Sequence, residues 1–209
     1  MGKSKKTDLL KILETCRKHL KEGEYKKAIK LGKITIQKYP KEGVAYFCLG
    51  LAYYSAGKLK SAYKNFKKAE KLVKDEEILM QIYESLGVIL RHKGICFLEK
   101  ALFYYNKAWE LTKKVGDKKN RCSILIGMGL TNVYRRNVDD AIRCYEAVLE
   151  ETTDKTNKIN IYNTLTVLYR TIDDAKKAEF YSQKAEELKN RKEFTFDDLF
   201  KEYLKEIKD

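Results

Sequence analysis

Between Tyr46 and Ala69 the apolar residues fall into two stripes at helical spacing. Tyr46, Leu49, Gly50 and Tyr53 recur at i, i+3, i+4 and i+7, which places them on one face of a helix. Gly57 interrupts that helix, and Ala62, Phe66 and Ala69 then form a second stripe. Gly50 and Ala62 have almost no side chain, so two helix backbones can approach closely there. The rings of Tyr46, Tyr53 and Phe66 are large enough to fill the surrounding space. No alternating Val/Ile/Thr run is of convincing length, so the pattern predicts an all-α chain.

The same pattern recurs along the sequence, as expected when one structural unit is stacked several times. Moved back by 34 residues it lands on Ile12, Thr15, Cys16, His19, Gly23, Ala28, Gly32 and Pro40. A third copy has Tyr83, Leu86, Gly87, Leu90, Gly94, Ala101, Tyr105 and Ala108. A fourth has Leu125, Met128, Gly129, Val133, Val138, Ala141, Tyr145 and Val148. A fifth has Tyr162, Leu165, Thr166, Tyr169, Ala175, Ala178, Tyr181 and Ala185. The anchor alanines at 28, 62, 101, 141 and 178 are spaced by 34, 39, 40 and 37 residues. In the third copy the step from Gly94 to Ala101 is two residues longer than the matching step in the first two. The reading favours a helix extended by half a turn over an apolar knuckle at Ile95–Leu98. Beyond Arg191 the pattern changes. Thr195 and Asp198 read as an acidic variant of a capping box, and Phe196, Leu199, Phe200, Tyr203 and Ile207 make one apolar face.

The stretch at Tyr46–Ala69 resembles the tetratricopeptide repeat, whose pattern is W-x2-L-G-x2-Y, then A-x3-F, then P. Tyr46 stands for the Trp and Lys74 for the Pro; Leu49, Gly50, Tyr53, Ala62 and Phe66 match. The resemblance implies a right-handed superhelical solenoid of antiparallel helix pairs. Five pairs are expected at about 9–42, 43–76, 78–115, 120–155 and 157–190, after a basic tail over 1–8. A helix at 195–209 would cap the open apolar side of the last pair. In the family the first helix of each pair lines a concave groove. By register, the second pair offers Val44, Phe47, Leu51, Tyr54 and Ser55, and the third Gln81, Glu84, Val88, Arg91 and His92. The fourth offers Ser123, Ile126, Leu130, Val133 and Tyr134, and the fifth Asn160, Asn163, Val167, Arg170 and Thr171. Apolar anchors with a few Arg and Asn suit an amphipathic helix or an extended peptide with acidic flanks. The groove residues singled out are Phe47, Leu51, Tyr54, Val88, Arg91, Ile126, Leu130, Tyr134, Asn163, Val167 and Arg170. The carboxylate clamp of chaperone-tail binders is not matched, because Leu13, Arg17 and Cys48 stand at its positions and only Arg17 is cationic. The resemblance thus implies a non-enzymatic, protein-binding scaffold.

Charge adds a second surface. Residues 1–74 hold 20 Lys/Arg against 6 Asp/Glu, while the rest holds 24 of each, so the whole excess of +14 sits in the first two pairs. Lys26 and Lys60, Lys30 and Lys64, and Lys33 and Lys67 are each separated by one 34-residue period. Stacking would turn them into a ladder on the second helices, a basic patch for an acidic protein, nucleic acid or anionic surface. Nucleic acid is disfavoured, because stacking platforms need aromatics between the cations, and Phe66 and its equivalents belong to the core pattern.

Composition restricts the chemistry. Apolar runs are broken by charge throughout, so no span of a membrane is predicted. Lys11, Glu14, Arg17 and Lys18 interrupt any signal-peptide core after the basic start, which makes a cytoplasmic protein the expectation. The five cysteines contain no C-x-x-C pair, and His19 and His92 are the only histidines; packed, reduced thiols and no metal or cofactor are expected. Gly2-Lys3-Ser4 lacks the upstream glycine loop of a phosphate-binding site. Asp139-Asp140 and Asp173-Asp174 fall where second helices begin, where carboxylates favour the helix dipole.

Overall fold

The helical stripes become helices whose small residues meet rings. A computed structural model of the chain describes residues 3–190, and the expected cap at 195–209 lies outside the described residues. Ten α-helices are described: α1 (Lys3–Lys21), α2 (Tyr25–Lys38), α3 (Gly43–Ser55), α4 (Leu59–Leu72), α5 (Glu76–His92), α6 (Leu98–Val115), α7 (Lys118–Tyr134), α8 (Val138–Glu151), α9 (Lys155–Thr171) and α10 (Ala175–Asn190). Each odd-numbered helix packs against the even-numbered one that follows, giving five hairpins of antiparallel helices. No described helix is long and apolar enough to cross a membrane. The segment read as a basic tail is already helical from Lys3 and continues into α1.

The helices divide into two compact units, α1–α8 and α9–α10. In the first, α2 packs on α3, α4 on α5 and α6 on α7, and α1 also reaches α3. The close approaches fall at the predicted small residues. A methyl group built on Gly50 would lie 2.7 Å from two ring carbons of Phe66. On Gly87 it would lie 2.9 Å from the Tyr105 ring, and on Gly129 3.0 Å from Tyr145. Phe66, Tyr105, Ala62 and Ala101 are fully buried around these contacts. In the second unit Thr166 stands at the glycine position; it is buried, and its hydroxyl donates to the Tyr162 carbonyl one turn back. There the seam is aromatic, with Tyr169 and Tyr181 stacked at 5.5 Å.

The turn inside each hairpin holds one residue of positive φ. Gly23, Gly57 and Gly94 have φ of 73°, 71° and 115°, and Arg136 and Asp173 occupy the same place in the last two hairpins with φ of 60° and 57°. This is the left-handed region, where a side chain is strained. Caps follow the acidic residues. Asp75, Asp117 and Asp154 accept from the backbone N–H groups of Ile78, Asn120 and Asn157 at the starts of α5, α7 and α9. Asp174 does the same for α10, accepting from Lys177 N–H. At α8 the cap is Asn137, which accepts from Asp140 N–H, while Asp139 and Asp140 sit in the first turn.

Two expectations are corrected. The additional residues of the third hairpin do not extend a helix. Gly94, at φ 115° and ψ 178°, takes a conformation closed to side chains and ends α5; a single 3-10 turn follows at Ile95–Phe97. The apolar knuckle is the outcome, and Ile95 is 80% exposed. On α7 the seam position falls at Asn132 rather than Val133. Asn132 is buried, with its amide oxygen accepting from Arg135, and Val133 faces out.

Candidate functional site

The face built by α3, α5 and α7 carries the groove residues of the first unit. Leu51, Tyr54 and Val88 come together with Gln81, Glu84, Ser85 and Asn120 around a recess of ≈ 260 Å³. Arg91 and Tyr134 come together with His92, Gly94, Ile95 and Leu98 around a second recess of ≈ 300 Å³. Helix α5 serves both, with Val88 and Arg91 one turn apart on it. Ile126 and Leu130 are half-buried on α7 and line neither recess. Phe47 is corrected: it is fully buried, its ring 6.1 Å from that of Phe66, because α1 also packs on α3. The thiol of Cys16 lies 3.6 Å from the Cys48 carbonyl in that contact. Asn163, Val167 and Arg170 lie on α9 in the second unit, each exposed.

Part of the polar lining is already spoken for. Arg17 of α1 donates to the Gln81 side chain of α5 at 3.1 Å, and Ser123 of α7 donates to Glu84. Burial pushes the Glu84 carboxyl above its usual range, against the Ser123 bond that lowers it. Burial also raises Tyr54, with Arg91 pulling the other way. Tyr105, beneath α5 and α7 at Gly87 and Gly127, is pushed up to about 12 mainly by burial. The Arg91 guanidinium lies against the Tyr105 hydroxyl and opposes that shift, though without the alignment of a good hydrogen bond, and Arg91 Nε is buried without an acceptor. Arg91 Nη2 lies 3.5 Å from the His92 ring, and burial followed by the Arg91 charge lowers the His92 pKa. The lining offers apolar surface, aromatic edges and a few hydrogen-bonding groups, which is the equipment of recognition.

On the second helices, Lys26, Lys30, Lys33, Lys60 and Lys64 are exposed. Lys67 is corrected as a member of this free ladder. It pairs with Glu70 and donates to the Tyr104 hydroxyl at 2.7 Å. Burial alone would lower its pKa, but these two partners hold it above the ordinary lysine value. Near this surface Phe103 is 53% exposed, with Lys107 Nζ 4.8 Å from its ring centre. Cys16 and Cys48 are buried free thiols, Cys122 and Cys144 half-buried, and Cys96 exposed on the knuckle. Among the described residues one group of possible metal ligands draws together, His19, Glu22 and Glu24 in the first turn. Glu24 already holds His19 at 2.7 Å and also pairs with Lys27.

Sequence reasoning missed the cross-links Arg17–Gln81 and Ser123–Glu84, and the knuckle as a wall of the second recess. Their polar residues stand at groove positions of different repeats, so complementary pairs across repeats were the available signal.

Hairpins whose small residues meet buried rings at a fixed register define an all-α helical repeat of the tetratricopeptide type. Solved structures with the same architecture bear this out. BtubC from P. vanneervenii is 18% identical, with 88% of this chain and 89% of that one covered at a TM-score of 0.71. YrrB, a TPR protein with an unusual peptide-binding site, is 19% identical over 86% of each chain, at 0.65. The nearly identical TPR-like repeats described for a kinesin light chain of Podosopora anserina are 13% identical, covering 88% and 98%, at 0.70. At these identities the likeness is one of fold. No protein-family model and no curated protein matches the chain.

Proposed function

We propose that the chain is a non-enzymatic interaction module that takes a peptide or amphipathic helix of a partner protein on the face built by α3, α5 and α7. The observation that carries this reading is the pair of recesses along α5, lined by Leu51, Tyr54 and Val88 and by Arg91 and Tyr134. Tyr134 is 55% exposed, and large exposed aromatics beside apolar recesses mark interaction sites. Arg91 selects acidic flanks on that face; in the other unit Val167 and Arg170 are exposed on α9 as a separate apolar and cationic pair. A reducing, cytoplasmic setting suits the buried thiols of Cys16 and Cys48. A second reading uses the basic patch of Lys26, Lys30, Lys33, Lys60 and Lys64 to hold an acidic partner or anionic surface.

Tyr54→Ala combined with Tyr134→Ala should keep the helical circular dichroism signal and abolish capture of the native partner. Losing one buried aromatic anchor typically costs about 2 kcal/mol or more, roughly thirtyfold in affinity. Changing Lys26, Lys30, Lys60 and Lys64 to Gln should alter mainly the salt dependence and the association rate. Capture lost only in the lysine variant would move the function to the basic face.

A further inference from the structure

Cys16 and Cys48 are the two fully buried cysteines of the five, and they meet where α1 packs on α3. The Cys16 thiol donates to the Cys48 carbonyl across 3.6 Å, and it lies within hydrogen-bonding reach of the Cys48 thiol. The register explains the contact. Cys16 stands where Gly50, Gly87 and Gly129 stand in the next three hairpins. The ring that meets those glycines is replaced in the first hairpin by Gly32, where a methyl group would lie 2.9 Å from Leu49 Cβ. Helices α1 and α2 are thus both drawn onto α3, and the thiol pair shares one core with Leu13, Ala28, Phe47 and Ala52.

We propose that Cys16 and Cys48 are a modification site, a dithiol that a peroxide converts to a disulfide joining α1 to α3. Cys16 is the attacking sulfur. The Cys48 thiol favours the Cys16 thiolate, burial opposes it and the Arg17 charge supports it, so the Cys16 pKa is lowered; the same bond, with burial, raises Cys48 and keeps it protonated. Peroxide enters on a local opening of α1. The Cys16 thiolate attacks one oxygen of hydrogen peroxide, the O–O bond breaks, and the departing hydroxide takes up the Cys16 proton as water. That leaves a sulfenic acid on Cys16. When α1 closes again, the Cys48 sulfur attacks the Cys16 sulfur, the S–O bond breaks, and the hydroxyl leaves with the Cys48 proton as a second water. Two thiols and one peroxide give one disulfide and two waters, with two electrons passing from sulfur to oxygen. Thiols already in contact need only a small movement to reach the S–S length of about 2.05 Å. The bond would fasten one edge of the first recess, since Arg17 beside Cys16 holds Gln81 and Leu51 lies one turn from Cys48. Its chemistry stands whether or not that recess takes a peptide.

The full chain is treated with millimolar hydrogen peroxide, its remaining thiols are blocked with iodoacetamide in urea, and the unreduced protein is cut with trypsin for mass spectrometry. The expected product is residues 12–17 joined to residues 42–58, lighter by two hydrogens than the two thiol peptides together and released by dithiothreitol. Cys48→Ser should stop at a Cys16 sulfenic acid that dimedone, present throughout, traps. Cys16→Ser should leave the Cys48 thiol to be alkylated. The oxidised chain should melt about 5–15 °C above the reduced one, because a bond between residues 32 apart restricts the unfolded chain. The same peroxide treatment should not raise the melting temperature of Cys16→Ser. Free thiols at both positions, Cys16 or Cys48 linked instead to Cys96, Cys122 or Cys144, or a linked chain that melts below the reduced one would each overturn the proposal. Should a serine variant fail to fold, the linked peptide and the melting temperature of the unaltered chain decide.

Discussion

Replacing Gly50 with alanine adds a single methyl group to the closest helix contact of the second hairpin. Built on the existing backbone, that methyl lies 2.7 Å from both Cδ1 and Cε1 of Phe66 and 3.2 Å from Cγ. The ring cannot swing into water, because Phe66 is fully buried with Phe47 6.1 Å away. Either the ring leaves its rotamer or α3 and α4 separate. Overpacking of this kind costs about 1–3 kcal/mol, while alanine gains about 1 kcal/mol over glycine in helix propensity. With two ring atoms overlapped inside a filled core, the net destabilisation should be roughly 1–2 kcal/mol, lowering the melting temperature by about 2–8 °C for a chain of this size. Thermal unfolding followed by far-UV circular dichroism measures it. Repeating the change in a Phe66→Ala background should shrink the loss, since the overlapped ring atoms are then gone. An alanine variant that melts at or above the parent temperature would refute the packing account. An equal loss in both backgrounds would show that the clash lies elsewhere.

Two further outcomes are expected. The folded Glu84 carboxyl titrates above its ordinary 4.5, so its protonated form stabilises the fold; that contribution is complete below the unfolded pKa and is lost as pH rises through the folded one. Glu84→Gln, which still accepts from Ser123, should therefore melt higher than the parent at neutral pH and alike in acid below the carboxylate range; a pH-independent difference would refute this. Arg136→Gly removes a side chain from a left-handed turn that Gly57 fills elsewhere, and should add roughly 0.5–1 kcal/mol after allowing for the greater freedom of the unfolded chain. A denaturant midpoint that does not rise would show that Arg136 is unstrained.

The seam is legible in the sequence because close helix approach requires small residues, and Gly50, Gly87 and Gly129 advertise it at a fixed distance from a ring. Phe47 is misread because register describes one repeat and its stacking partner, whereas α1 packs on α3 as well as α2. Asn132 escapes notice because hydropathy prefers the adjacent Val133; only the bond from Arg135 makes a buried amide tolerable there. The two additional residues of the third hairpin are countable, but whether they lengthen a helix rests on the backbone of Gly94, which permits both a helix and a break. Arg91 is legible as a groove residue, yet that it lies against the Tyr105 hydroxyl with its Nε left without an acceptor depends on where side chains of other helices end.

In the first unit each helix packs against its sequence neighbours and at most the first helix of an adjacent hairpin. Under tension such a chain has no single clasp to break. Pulled from its ends, it should pay out one hairpin at a time, each residue lengthening from about 1.5 Å of helix rise to about 3.4 Å of extended chain. A molecule with that response yields gradually and rewinds locally, giving slack in steps of one hairpin instead of failing at once.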